Sequence, residues 1–265
     1  MAPNLASAWR YRNFIASSIR SEIRARFARS KLGGLWMIIH PLAQAAIFAL
    51  VLAGIMSAKL PGMANDRSAY ALYLLSGMLG WSLFADIVNR SLTLFVDNAN
   101  LLKKMSFPRI CLPIIAAGSA LLNNILLFIA VLAAFAAFGR FPGMTAAWVP
   151  LLMLLTLSMG LAVGLLLGVV NVFVRDVGQI VPVALQFGFW LAPIAYTPDI
   201  VPGGLRRLVQ VNPMTPIVEG YQSALLFDRA PDVSALAWLA LTCVLLLVAA
   251  LTMFRRASPE MVDVL

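Results

Sequence analysis

Apolar residues in this chain gather into six long runs, Leu35–Ala58, Tyr70–Phe95, Pro113–Phe138, Trp148–Phe173, Val177–Tyr196 and Ala235–Phe254, with charges and prolines collected between them. Each run is near the roughly 20 residues a helix needs to cross about 30 Å of hydrocarbon at about 1.5 Å per residue. Backbone amides in lipid must be satisfied within their own segment, and none of the runs alternates as a barrel strand does. The pattern therefore predicts an all-α membrane protein with six transmembrane helices. The first run reads as a span and not as a signal peptide, because its apolar core exceeds the usual length of about 7–15 residues and a long basic arm precedes it.

Two shorter patterns stand outside the runs. From Leu5 to Leu32, Ile15, Ile19, Ile23 and Phe27 recur every fourth residue among Arg10, Arg20, Arg24, Arg26 and Arg29, which predicts an amphipathic helix lying in the headgroup layer. The stretch Thr197–Ser234 is moderately apolar but broken by Pro198, Pro202, Pro213, Pro216 and Pro231. Its pieces Leu205–Val211 and Ile217–Phe227 are too short to cross, so they read as two short helices dipping into the outer leaflet as a re-entrant, gate-like hairpin. The expected organisation is an amphipathic helix over 1–34, a transmembrane region over 35–254 and a tail over 255–265. Within the transmembrane region, 97–112 is a loop and 198–230 the gate.

Composition agrees: 62% of the 265 residues are apolar and 12% charged, with a mean hydropathy of +0.90, against about 45–50% and 25% in soluble domains. This leaves no room for a separate soluble catalytic domain. The net charge of +9 would suggest nucleic acid on a polar surface, but here it lies between membrane runs and gives orientation instead. With the N-terminus inside, fourteen basic residues face the cytoplasm and six the far side, so both termini are placed in the cytosol. Cys111 and Cys243 are too few for a disulfide framework or a zinc site.

The chemistry is sparse. The lysines are Lys31, Lys59, Lys103 and Lys104, and none follows a glycine, so the chain holds no Walker-type phosphate loop. Asp86 and Arg90, four apart, read as an ion pair on one helix face. His40, followed by Pro41, reads as a polar contact at a kink. Asn123, Asn124, Gln179 and Gln186 either hydrate a pore or bond between helices. Gly160, Gly164 and Gly168 mark a close helix contact, while Pro182 and Pro193 predict a bent fifth span. Tyr70, Tyr73 and Tyr196 fit an interfacial belt. Phe187 and Trp190 lie deeper and fit belt or pore lining, where aromatic faces suit sugar rings. Residues 97–112 are basic and cytoplasmic, as suits a docking surface or a plain connecting loop. No catalytic or metal-binding constellation is present, which argues against an intramembrane enzyme. The shortage of deep charges argues against an ion-coupled carrier.

Five segments in order resemble one family: Arg24–Trp36 running to Pro41, Leu102–Arg109 with Leu112-Pro113, Gly168–Asp176, Phe189–Asp199, and Asn212-Pro213-Met214. With six matching spans, the chain is similar to the permease subunits of ABC-2-type exporters for O-antigen and related cell-surface polysaccharides. The resemblance implies a homodimer in the bacterial inner membrane with two copies of a separate ATPase subunit, which binds ATP and Mg. This chain would itself hold no cofactor, and nucleic acid is not a partner. The cargo implied is a glycan on undecaprenyl pyrophosphate. On this resemblance Trp36, Phe187 and Trp190 line the channel with Tyr196 at its outer mouth. Arg24, Arg26 and Arg29 meet the pyrophosphate or lipid headgroups; Lys103, Lys104, Phe107, Pro108 and Arg109 couple to the ATPase; and Asn212, Pro213 and Glu219 belong to the gate. Capsular polysaccharide, teichoic acid, drug and lipid export are the alternatives within the class.

Overall fold

A computed structural model describes residues 9–28, 35–48, 50–51, 67–104, 108–198 and 201–264. Arg29, Phe107 and positions 52–58 of the first run lie outside the described residues, as do the side chains of Arg26 and Lys104. The described chain is helical, with no strand. In order come α1 (Arg12–Ala28), α2 (Trp36–Phe48), α3 (Arg67–Asp97), α4 (Ala99–Lys104), α5 (Cys111–Ala137), a 3₁₀ turn (Met144–Trp148), α6 (Val149–Phe173), α7 (Val177–Leu191), α8 (Gly203–Val211), α9 (Met214–Leu225) and α10 (Val233–Val264).

Four segments are long and apolar enough to cross a bilayer: Ser68–Asp97, Cys111–Ala137, Met144–Phe173 and Val233–Ser258. The other two runs hold shorter apolar helices. The 13 described residues of α2 and the 15 of α7 span about 20 Å and 22 Å. The fifth run was expected to continue helically to Tyr196 with Pro193 inside it. Instead α7 stops at Leu191, because Ala192 is extended at ψ 141°, the conformation that a following proline imposes. Pro193 therefore lies beyond the helix, and Pro182 alone remains within it.

The centre of the fold is α3, which packs on α2, α5, α6, α7 and α9. Its seam with α6 is the glycine stripe read from the sequence. A Cβ at Gly160 would lie 2.1 Å from Ile87 Cγ2, at Gly164 2.6 Å from Ser91 Cβ, and at Gly168 2.3 Å from the Ser91 carbonyl oxygen. The backbones approach because those positions carry no side chain. On the other side of α6, α10 closes the bundle, with Phe95 stacked on Phe254 at 5.2 Å. Its 32 residues, about 48 Å of helix, carry it well past a bilayer's hydrocarbon.

The amphipathic arm does more than float on a surface. Helix α1 packs on α5, where Ile19 lies against Gly118.

Candidate functional site: a polar cleft between α2, α3, α5 and α7

Between α2 and α7, with α3 and α5 behind them, lies a cleft of about 740 Å³, within the roughly 300–1,000 Å³ typical of ligand sites. Its walls mix two chemistries. The aromatic wall is Phe48, Trp81, Phe189 and Trp190. Phe189 is buried at its centre, its ring centroid 5.8 Å from Phe48, 6.0 Å from Trp81 and 5.6 Å from Trp190. Trp81 is seated against Gly188, where a Cβ would come within 2.9 Å of the indole. The polar wall is His40, Gln44, Asp86, Asn89, Asn123 and Gln186, with Asn124 beneath.

The polar wall is organised by Arg90. Its Nε donates to Asp86 Oδ1 at 2.8 Å, one helical turn away as the spacing predicts, and its Nη1 donates to Glu22 of α1. Ser119 then donates to Glu22 Oε2 at 2.7 Å, and Asn123 Nδ2 to Asp86 Oδ2 at 3.2 Å. One guanidinium thus joins α1 to α3, while the two acids gather hydrogen bonds from α5. A charge this buried persists only when so paired. Asn124, which is buried, donates from Nδ2 to the Leu79 carbonyl at 2.9 Å, so the amides serve both interhelical bonding and the cleft.

Among the expected channel residues, Trp190 lines the cleft. Trp36, Phe187 and Trp190 are 52%, 68% and 54% exposed, and Trp36 and Phe187 lie outside the cleft wall. Tyr196 is half-buried and donates to the Trp190 carbonyl at 3.0 Å. Among the residues that line the cleft without having been singled out are the polar Gln44 and Asn89. Their signal was available: Gln44 is one turn after His40, and Asn89 three after Asp86, polar positions recurring on one face of an apolar helix.

Tyr70 and Tyr73 correct the belt reading. Both are buried, at 4% and 2% exposure, and both satisfy the turn that follows α7. Tyr70 donates to the Ala195 carbonyl at 2.7 Å. Tyr73 donates to Tyr196 at 2.9 Å and Pro193 at 3.2 Å. Gln222 of α9 adds a bond to the Pro193 carbonyl at 3.0 Å. Non-helical backbone buried in this way needs such donors, and protein supplies them here.

The proline-broken segment contains the two short helices expected. Asn212 joins them: Oδ1 accepts from Met214 N at 3.0 Å and Nδ2 donates to the Leu191 carbonyl at 3.3 Å. Pro213 precedes α9 as its cap residue. Glu219 is half-buried on α9. The helices differ in setting. Ile217, Val218 and Tyr221 bury α9 in the core, whereas Leu208 and Val211 leave α8 58% and 82% exposed at those positions.

At the opposite end of α3, α4 occupies part of the expected coupling loop and touches α10. Lys103 is exposed and Pro108 half-buried. Arg109 Nη1 donates to the carbonyl and hydroxyl of Ser258, which fastens the loop to the end of α10. Arg24 is exposed on α1. Among the described residues no three potential metal ligands converge.

The family described as ABC-2 type transporter matches residues 14–226, which takes in the cleft, the loop and both short helices. The chain is 27% identical over 257 residues to the "O-antigen export system permease protein RfbA" of Myxococcus xanthus, covering 96% of each chain. It is 23% identical over 245 residues to the protein of the same name from Klebsiella pneumoniae, covering 92% of each. It is 24% identical over 250 residues to the "Polysialic acid transport protein KpsM" of Escherichia coli, covering 91% of this chain and 92% of that one.

Proposed function

Because this chain belongs to the ABC-2 type transporter family, we propose that it is the membrane subunit of an ATP-driven exporter that moves a lipid-linked, O-antigen-like polysaccharide out of the cytoplasm. The observation that carries this reading is likeness along almost the whole length of an O-antigen permease, in a chain whose central cleft combines aromatic rings with amides and one carboxylate. Aromatic faces offer a sugar apolar area without strong directional bonds that would hold it in place, and amides replace the water its hydroxyls lose. The polysialic acid relative favours capsular polysaccharide as the second reading.

In this reading six helices cross the inner membrane with both termini cytosolic, the short α2 and α7 included. Two copies meet along the exposed sides of α2 and α7, where His40, Gln179 and Gln186 are exposed among apolar side chains. Polar groups at that depth suit a water-filled dimeric channel better than lipid. Trp36, Phe187 and Trp190 then border the channel, and Tyr196 stands near its outer mouth. The hairpin α8–α9 forms the periplasmic gate around Asn212, Pro213 and Glu219, with α8 as the mobile member because α9 is packed in the core. Arg24, Arg26 and Arg29 lie where a pyrophosphate or anionic headgroup approaches. ATP and Mg²⁺ bind two copies of a partner ATPase, which docks on Lys103, Lys104, Phe107 and Pro108, and Arg109 transmits the motion to α10.

The test is to purify this chain from its native membranes through a tag on it, identify any ABC ATPase that comes with it, and measure ATP hydrolysis in nanodiscs. A stoichiometric complex with hydrolysis is expected; a chain that purifies without any ATPase would overturn the reading.

A further inference from the structure

We propose that the cleft within each protomer is a binding site for an electrically neutral sugar unit, so that the exported polymer is uncharged and not a polyanion; this rests on the export reading above. Several observations meet here. The cleft is large enough for a short oligosaccharide, about 740 Å³. Its aromatic wall is held in place by ring contacts and by Gly188. Its polar wall carries the Asp86 carboxylate and the amides of Gln44, Asn89, Asn123 and Gln186, with Asn124 below them.

Asn124 is 97% buried by its 3% exposure, and its Oδ1 has no hydrogen-bond partner. A buried acceptor left without a donor is costly, and since Asn124 lines the cleft, a sugar hydroxyl bound there supplies that donor. Sign then decides the ligand class. Asp86 is the one charged side chain on the wall, and no lysine or arginine lines it among the described residues. Arg90 commits Nε and Nη1 to Asp86 and Glu22, and its buried Nη2, which has no hydrogen-bond partner, belongs to a residue off the cleft wall. A sugar carboxylate would enter beside the Asp86 carboxylate with no free cation to meet it, in surroundings where like charges repel more strongly than in water. A neutral hexose meets amide donors and acceptors for its hydroxyls and rings for its apolar faces.

The experiment uses the full chain in nanodiscs and saturation-transfer NMR, with neutral octasaccharides of glucose, galactose and mannose against an octamer of sialic acid. Neutral probes should give transfer signals and the sialic acid octamer none. Asn124→Leu should weaken the neutral signal about fivefold, the effect of one lost hydrogen bond. Gln44→Leu, at a half-buried position that holds no helix pair together, should do the same without threatening the fold. An equal signal from the sialic acid octamer, no signal from any neutral probe, or full signal in the correctly folded Gln44→Leu protein would overturn the site. Loss of surface polysaccharide in a deletion strain alongside any of those results would leave the export reading intact and remove only this one.

Discussion

At the residue scale the least replaceable side chain is Arg90. Its spacing from Asp86 is visible in the sequence, but the third member of the cluster, Glu22, is 68 residues away and no periodicity connects them. Replacing Arg90 with Met should leave two carboxylates facing each other without a cation, and destabilise the chain by about 3 kcal/mol, as for other broken buried pairs; thermal unfolding in detergent measures it. Glu22→Gln should cost less, and its effect should be local, seen as faster amide exchange in α1 alone. The glycine stripe tests packing in the same way. At Gly168 the obstacle to a Cβ is the Ser91 backbone oxygen, which cannot swing aside. Gly168→Ala should therefore cost about 1–3 kcal/mol, whereas alanine at Gly204, with nothing within 4 Å of its Cβ, should be tolerated.

At the scale of elements, what was legible was whatever local pattern determines. Apolar length gave the four long helices, the fourfold recurrence of isoleucine gave α1, and prolines bounded α8 and α9. The sequence reading erred where tertiary contacts decide. It left Tyr70 and Tyr73 at an interface, because the carbonyls they satisfy lie more than a hundred residues on; its running the fifth helix through Pro193 overlooked a local signal, the extended backbone that a proline imposes on the residue before it. Tyr73→Phe should orphan the Tyr196 carbonyl, while Gln222 still serves that of Pro193, and cost about 1–2 kcal/mol, with the disturbance centred on residues 192–198 in hydrogen exchange. Arg109 makes a similar long-range tie to Ser258. Arg109→Ala should loosen the end of α10 and speed proteolysis after Arg255 and Arg256, before any effect on membrane insertion. At the other end of α10, Asp232 accepts from Ser234 and Ala235, and those bonds hold its carboxyl below the ordinary carboxylate range. A depressed value means that the cap contributes above the ordinary range and is lost as pH falls through the lowered one. Acid should therefore fray the start of α10, and Asp232→Ala should fray it at every pH.

At the scale of the molecule, the chain has a packed core and an exposed flank. Helices α3, α6 and α9 lie deep in a continuous apolar cluster, while α2, α7 and α8 expose rings and glutamines. Cross-linking cysteines placed at Ile180 and Val183, both exposed on α7, should give a covalent dimer in native membranes; a chain that stays monomeric there would argue against a channel between copies. Composition made the membrane setting plain, but the cleft was invisible because four helices distant in sequence build it. The account rests most heavily on polysaccharide export, and the direct measurement is where the polymer accumulates. In a strain lacking this chain, surface polysaccharide should disappear while lipid-linked polymer collects inside the cell, and the wild-type chain supplied on a plasmid should return it to the surface. Unchanged surface polysaccharide in the deletion strain would contradict the account.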